Sequence, residues 1–514
     1  MRSMAPDDIT FHRNIYDNVH GFIKVTELEN KIIDSPYFQR LRNIRQLGLL
    51  DYVFPGALHN RFNHSLGVMH IADKMVTSLQ EKNYNILDNK RELIRMAALL
   101  HDIGHYPLSH LVESVVLKDA ESKIKTTDIS LEGEECNNLN LDDNEVNLDD
   151  NDAHMFNYDL HRSRNPSGDF ANHERIASIV ISKTPIYDIL IDKFDDDQIK
   201  DIEKIIAGGY SGPEGLIIHS ELDADRFDYL LRDSKQTGVT YGLFDIDQII
   251  RNLKIYEPED NRLVVDEKGR KAVEHYLMSR YFLYSTVIYQ KATIGFELMA
   301  KKVYQGLMER KKLCSYFDLI DIFKDHDSAE QYLNYDDSYF FNTIKRVHSG
   351  KIKWDYDSNY KVSDDLLLDL IEKILTRTPL KMVRENQKIM DRNSSDSKPF
   401  FLEKAVGDKL ASSAGIEDHW YITSEINVSL TNIGPYRSWS EVTNDSSYED
   451  PDYKSIRILK NTSLEHATKL LVEDETSIIK TLSKSKLYVG RLYTKDASYK
   501  EKLDAAFIDY EMKR

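Results

Sequence analysis

Within the ten residues His101-Asp102-Ile103-Gly104-His105-Tyr106-Pro107-Leu108-Ser109-His110 the chain places three imidazoles and a carboxylate. An adjacent His and Asp present a neutral nitrogen beside an anionic oxygen, a pair suited to chelating one divalent metal. His105 and His110 follow as groups that titrate near neutrality and can move a proton. Metal-assisted hydrolysis is the chemistry such a set can do. A His-rich surface loop is the inert alternative.

A metal needs further ligands, and elements to hold them. Leu93, Met96, Ala97 and Leu100 recur at spacings of three and four, so Glu92 to Leu100 is expected to be a helix with one buried face. Gly104 and Pro107 would end it just past the His-Asp pair. His64 opens a second helical pattern, with Val68, Met69, Ala72, Met75, Val76 and Leu79 as its apolar positions. Asp225 lies in Asp223-Ala224-Asp225-Arg226-Phe227-Asp228-Tyr229-Leu230-Leu231-Arg232-Asp233. There Asp225, Tyr229 and Arg232 share one helical stripe, either a solvated face or the wall of a site. His64, His101, Asp102 and Asp225 are the candidate ligands of a divalent metal, which could be Mg, Mn, Fe or Zn. His105, His110 and His173 are candidate proton donors, with Glu113 or Glu174 to orient one of them.

The order His64, His101-Asp102, Asp225 resembles that of the HD-domain metal phosphohydrolases. Phe38-Gln39-Arg40-Leu41-Arg42, Gln46-Leu47-Gly48, Phe54-Pro55-Gly56-Ala57 and His173-Glu174 occur with these, in order. The whole set is similar to the deoxynucleoside triphosphate triphosphohydrolases, among them the animal SAM-and-HD-domain enzyme and bacterial dNTPases. It spans residues 11–300 or so, and no SAM-like segment is expected ahead of it.

The resemblance implies an enzyme that converts a dNTP to deoxynucleoside and triphosphate. It implies that His110, Glu113 and His173 form the acid–base network; Glu113 stands where the animal enzyme has Asp. It also implies substrate contacts. Arg61, Arg226 and Arg280 would meet phosphates, Arg226 replacing a Lys. Gln46, with Leu47 beside it, and Asp233 would hold the sugar 3′-hydroxyl; Tyr229 and Tyr289 would crowd its 2′-position and refuse ribose. Between Arg280 and Tyr289 the spacing is one residue longer than in the animal enzyme.

Asp34, Gln39 and Arg42 match residues that bind an activating guanine nucleotide between subunits of the animal enzyme, while Arg13 stands for a Lys and Tyr16 for an Asn. An activating nucleotide, GTP or a dNTP, and a homo-oligomer, dimer or tetramer, are therefore expected. An HD-type phosphodiesterase or nuclease is the alternative enzyme, although the Gly-Tyr-Pro signature of the cyclic-di-GMP type is absent. A non-catalytic nucleotide sensor is the alternative without chemistry, and the intact His64, His101, Asp102 and Asp225 weigh against it.

Composition fits a cytoplasmic enzyme. The 514 residues carry 68 basic and 86 acidic side chains, a net charge of −18, which disfavours a broad grip on nucleic acid or an anionic membrane. Two cysteines, Cys136 and Cys314, form no disulfide framework. No apolar run reaches the length of a membrane span, and no secretory signal is evident. The expected fold is mainly α: an HD-domain helical core over 1–300, a helical extension over 301–392, and a smaller α+β C-terminal lobe over 393–514. Residues 119–169, acidic and Asn-rich, read as an insertion, largely a mobile loop. Strands are expected at Trp420–Thr423, Ser455–Leu459 and Lys486–Val489, and a helix at Asp474–Leu482.

Overall fold

A β-hairpin opens the chain: β1 (Phe11–Asp17) pairs antiparallel with β2 (Gly21–Thr26). Its turn ends on Gly21 at φ 76°, a left-handed backbone that glycine adopts at least cost. Thr26 then caps α1 (Glu27–Asp34) in a reciprocal pair of hydrogen bonds with Glu29. Pro36 starts the short α2 (Pro36–Gln39). This is a computed structural model, and it describes residues 9–84, 90–131, 172–259, 261–324, 328–355, 357, 360–391, 410, 421–428, 454–461 and 466–512.

The helices that carry the expected ligands form as their sequences require. The Asn60 side chain caps α3 (Arg61–Gln80), and Val68, Met69, Ala72, Met75, Val76 and Leu79 are all buried. It packs on α4 (Arg91–Leu100), whose Leu93, Met96, Ala97 and Leu100 are buried as their spacing predicts. α5 (His110–Leu131) follows the His-rich loop, and Asn172 caps α6 (His173–Lys183). Asp223 caps α7 (Ala224–Thr237), which ends on Gly238 in the left-handed region. One hydrophobic core joins all of them. α5 continues to Leu131, so the first residues of the stretch read as an insertion are helical; 132–169 lies outside the described residues.

α8 (Arg270–Leu283), α9 (Lys291–Glu309), α10 (Asp337–His348) and α11 (Asp364–Leu375) extend the helical body. Helix was expected to about residue 390, but Lys381–Asp391 is a strand, β5. β5 pairs along its length with β9 (Ser485–Thr494), and β9 pairs with β6 (Tyr421–Val428), both antiparallel. A partner distant in sequence overrides the local pattern there. A second sheet runs β3 (Leu253–Tyr256), β4 (Arg262–Asp266), β7 (Arg457–Asn461), β8 (His466–Leu470), with β4 and β7 parallel. The expected strands near Tyr421, Ile458 and Val489 are present, and this sheet ties the C-terminal strands to residues 253–266. The expected helix at 474–482 is short, Ile478–Leu482, because Asp474 instead takes bonds from Thr476, Lys460 and Arg270. α12 (Ala497–Met512) packs Leu503 and Phe507 on Val383 and Leu492 in a separate small core. No helix among the described residues is long and apolar enough to cross a membrane.

Candidate active site

α3, α4 and α7 bring His64, His101, Asp102 and Asp225 together. His64 Nε2 lies 3.0 Å from Asp225 Oδ1 and 3.7 Å from Asp102 Oδ2; His101 Nε2 lies 3.3 Å from Asp102 Oδ1. Each imidazole is oriented through its other nitrogen. His64 Nδ1 donates to Asp228 at 2.8 Å, and His101 Nδ1 donates to the Ala98 carbonyl at 2.7 Å. Both Nε2 atoms are buried and make no well-directed hydrogen bond. His64, His101 and Asp225 bring one ligand atom each close enough together to hold a divalent cation, with Asp102 beside them, and the bonds at the other ring nitrogens keep the two imidazoles aimed.

The electrostatics agree. Burial disfavours a charge on His64, yet Asp225 and Asp228 raise it to about 10, so these carboxylates draw positive charge to this spot: a proton on Nε2, which a bound cation would displace. Burial also works against ionised Asp102, but Arg61 and the nearby imidazoles hold its carboxyl well below the usual range. Asp225 is likewise lowered by His64 against its burial.

A second cluster abuts the first. Glu113 Oε2 accepts from His110 Nδ1 at 2.6 Å, and Oε1 accepts from His173 Nδ1 at 2.8 Å and from the His173 backbone N–H at 2.8 Å. His105 stacks on His173, and its Nε2 lies 3.6 Å from Asp102 Oδ1, joining the two clusters. Burial opposes charge throughout, but Glu113 raises His173 to about 10, while His173 holds the Glu113 carboxyl well below its usual range. His105 is pushed well below its ordinary value by burial, Arg61 and His173. The orienting carboxylate is thus Glu113; Glu174 stands 4.0 Å from His173 Nε2.

The loop between the clusters is strained and braced. Leu108 and Ser109 both have positive φ, 54° and 56°, costly for residues with a Cβ. Asp337 of α10 accepts from Leu108 N, Ser109 Oγ donates to the Arg45 carbonyl, and Arg61 Nε donates to Ser109 Oγ. Buried Arg40 donates to the carbonyls of Ile103, His105 and Tyr335. Gly104 lets α6 approach: a Cβ there would meet the His173 carbonyl and Ala177 N at 2.2 Å.

The substrate candidates are brought near one another, several with protein partners. Arg61 Nη1 binds Asp102 Oδ2 at 2.8 Å. Arg226 pairs with Asp223 and the Ser220 carbonyl. Gln46 N donates to the His59 carbonyl, and His59 Nε2 lies 2.7 Å from Asp233 Oδ1, so Gln46 and Asp233 meet around His59. Leu47 packs half-buried on the core. Tyr284 sits between the two expected tyrosines, with its hydroxyl 3.3 Å from that of Tyr229, its ring 5.8 Å from that of Tyr289, and Arg280 5.5 Å over its face. Between Arg280 and Tyr289, where the spacing was expected to be one residue longer than in the animal enzyme, the chain makes a π turn at Tyr284–Ile288, whose i→i+5 bonding takes up one more residue than an α turn.

The expected regulatory residues also form pairs. Arg13 bonds Asp34 at 3.3 Å, Arg42 Nε bonds Gln39 at 2.7 Å and lies over the Phe62 ring, and Gln39 donates to the carbonyl of Ile33, next to Asp34.

Sequence reasoning missed Asp228, His59 and Tyr284; Arg40, noted there only within the Phe38–Arg42 motif and an early cluster of basic residues, turns out to brace the His-rich loop. Asp228 was legible in principle, three residues past Asp225 and so on a neighbouring helical position. The stripe assignment for Arg232 is corrected: it is wholly buried and paired with Asp228 and Asp17, because those carboxylates neutralise it inside.

Residues 61–135 match the HD domain family, and residues 244–351 match the HD associated region. Over 424 residues the chain is 29% identical to the uncharacterized protein YwfO of Bacillus subtilis, covering 80% of this chain and 79% of that protein. It is 46% identical over 115 residues to the deoxynucleoside triphosphate triphosphohydrolase SAMHD1 of Bos taurus, covering 22% of this chain and 20% of that one. Other curated relatives are spanned over 56% to 64% of their length. A crystal structure of a hypothetical protein from Aquifex aeolicus superposes with a TM-score of 0.64 at 25% identity, covering 96% of this chain and 99% of that one.

Proposed function

We propose that this chain, which carries an HD domain over residues 61–135 and is distantly similar to SAMHD1, is a metal-dependent hydrolase that splits dNTPs into deoxynucleoside and triphosphate. The observation that carries this reading is the pair of buried, aimed Nε2 atoms of His64 and His101 facing Asp102 and Asp225, with the His110–Glu113–His173 set one carboxylate away.

A divalent metal held by His64, His101, Asp102 and Asp225 would polarise a phosphate and acidify water. The chain's own residues do the rest. His173, kept protonated by Glu113, or His110 on the other Glu113 oxygen, supplies the proton that the departing 5′-oxygen needs. His105 stays neutral between them and the metal centre. Arg61, Arg226 and Arg280 take the triphosphate. Gln46 and Asp233 hold the 3′-hydroxyl, and Tyr229 and Tyr289 crowd the 2′-position. Arg13, Asp34, Gln39 and Arg42 form a regulatory site for GTP or a dNTP within a cytoplasmic homo-oligomer. The role of such an enzyme is control of dNTP pools or depletion of dNTPs against virus or phage.

Metal-loaded protein incubated with each dNTP, singly and mixed, tests the reading. Deoxynucleoside and triphosphate are expected; monophosphate with pyrophosphate would place the attack elsewhere. Asp102→Ala and Asp225→Ala should lose stoichiometric metal together with turnover. Full metal and full activity in a His101→Ala/Asp102→Ala protein would rule the site out.

A further inference from the structure

Asp228 is wholly buried and its carboxylate is full. Oδ2 accepts from His64 Nδ1 at 2.8 Å and from Arg232 Nε at 2.8 Å; Oδ1 accepts from His20 Nε2 at 2.6 Å and from Arg232 Nη2 at 3.0 Å. A carboxylate has about four acceptor positions, so none remains for a cation. Asp228 is therefore not a ligand, although its neighbour Asp225 faces the metal position. What it can do is hold one proton of His64 on Nδ1, so that Nε2, beside Asp102 and Asp225, is the nitrogen that can give up its proton and offer a lone pair to a cation.

Two of the groups that hold Asp228 trace back to the hairpin turn. Asp17 Oδ1 accepts from the backbone N–H of Val19 and of His20, which seats the His20 ring. Asp17 Oδ2 accepts from Arg232 Nη1 at 2.8 Å. The bonds close a ring: Asp17 to the turn, the turn to His20, His20 to Asp228, Asp228 to Arg232, Arg232 to Asp17. The helix α3 is built around it, since a Cβ on Gly67 would fall 1.9 Å from Asp228 Oδ1 and 2.5 Å from Arg232 Nη2.

We propose that the β1–β2 turn is a working part of the metal centre: His20 is a positioning residue that, with Asp17 and Arg232, fixes Asp228 and through it the tautomer and aim of His64. This rests on the metal-centre reading above. Groups that orient a ligating imidazole commonly set metal affinity by roughly 10–100-fold.

The test is Co²⁺ titration of the full chain after chelation, read by its visible spectrum and by binding affinity, with circular dichroism as the folding check. His20→Ala and Asp228→Asn are expected to weaken Co²⁺ binding by roughly 10–100-fold and to shift the visible bands, with the helical signal retained. His20→Gln, whose amide keeps a donor toward Asp228, should recover part of the loss. If Asp228→Asn does not fold, the two His20 variants decide the matter. His20→Ala protein with the parent's affinity and spectrum overturns the proposal while the metal centre stands. Parent protein that takes up no stoichiometric Co²⁺, or takes it up equally as His64→Ala, overturns the metal centre and this inference with it.

Discussion

His105 stacks on His173 with ring centroids 4.2 Å apart and planes 17° from parallel. The two rings sit in opposite states. Glu113 keeps His173 charged, whereas burial beside Arg61 and His173 keeps His105 neutral. A carboxylate bonded to one ring therefore sorts two stacked imidazoles into a proton carrier and a neutral neighbour.

That sorting predicts a pH dependence. His173 rises from 6.5 to about 10 on folding, so its contribution to stability is complete below 6.5 and is lost as pH climbs through about 10. Glu113 is depressed from 4.5, so its contribution is present above 4.5 and is lost as pH falls. The pair contributes most between pH 4.5 and 6.5. Glu113→Gln should cost roughly 1–3 kcal/mol in that window, with the difference shrinking as the pH approaches 10. Urea unfolding of both proteins across this range reads it, and a difference independent of pH would mean that His173 carries no extra proton.

Gly104→Ala should destabilise the protein by roughly 1–3 kcal/mol, because its Cβ has no room against α6 and that backbone cannot give as a side-chain tip can. It should also pull His173 away from His105 and Glu113, lowering turnover more than metal content. Thermal melts and metal analysis of one preparation separate the two effects.

Tyr289→Ala opens the wall formed with Tyr284 and Tyr229. Turnover of a ribonucleotide relative to its deoxy counterpart should rise roughly tenfold or more. Wild-type protein that hydrolyses ATP as fast as dATP would end the sugar-gating account.

Arg42→Ala removes both the bond to Gln39 and the stacking on Phe62, without touching the metal ligands. Activation by nucleotide should weaken by roughly fivefold or more, and assembly should fall with it, since a ligand bound between subunits favours the assembled form. Mass photometry beside turnover, with GTP and each dNTP, measures both. Linear single-nucleotide kinetics, unchanged assembly and an unaffected variant would reduce these residues to packing.

Much of the site was legible in the chain itself. The His-Asp pair, the periodic faces of α3 and α4, and the spacing of Asp225 depend on local rules: one helical period, one cap, one breaker. These hold wherever the segment ends up, and the resemblance in their order completed His64, His101, Asp102 and Asp225 as a set. Glu113 and His173 were also named, but nothing local chooses Glu113 over Glu174 as the partner of His173. That choice required α6 to settle against Gly104.

What lay beyond the sequence were relations between segments far apart in it. Asp228 is separated from His20 by 208 residues and from His64 by 164. Arg232 reads as part of a polar stripe, either a solvated face or the wall of a site, yet it is wholly buried because Asp228 on the same helix and the distant Asp17 neutralise it. β5 reads as the tail of a helical region, yet it is a strand because β9 pairs with it. Periodicity reports how a segment presents its own side chains; burial of a charge and pairing of a strand depend on the partner. The local rules determined the helices, the order of motifs along them named the candidate ligands, and the tertiary structure decided which charges are neutralised, which imidazole keeps its proton, and what holds His64 in place.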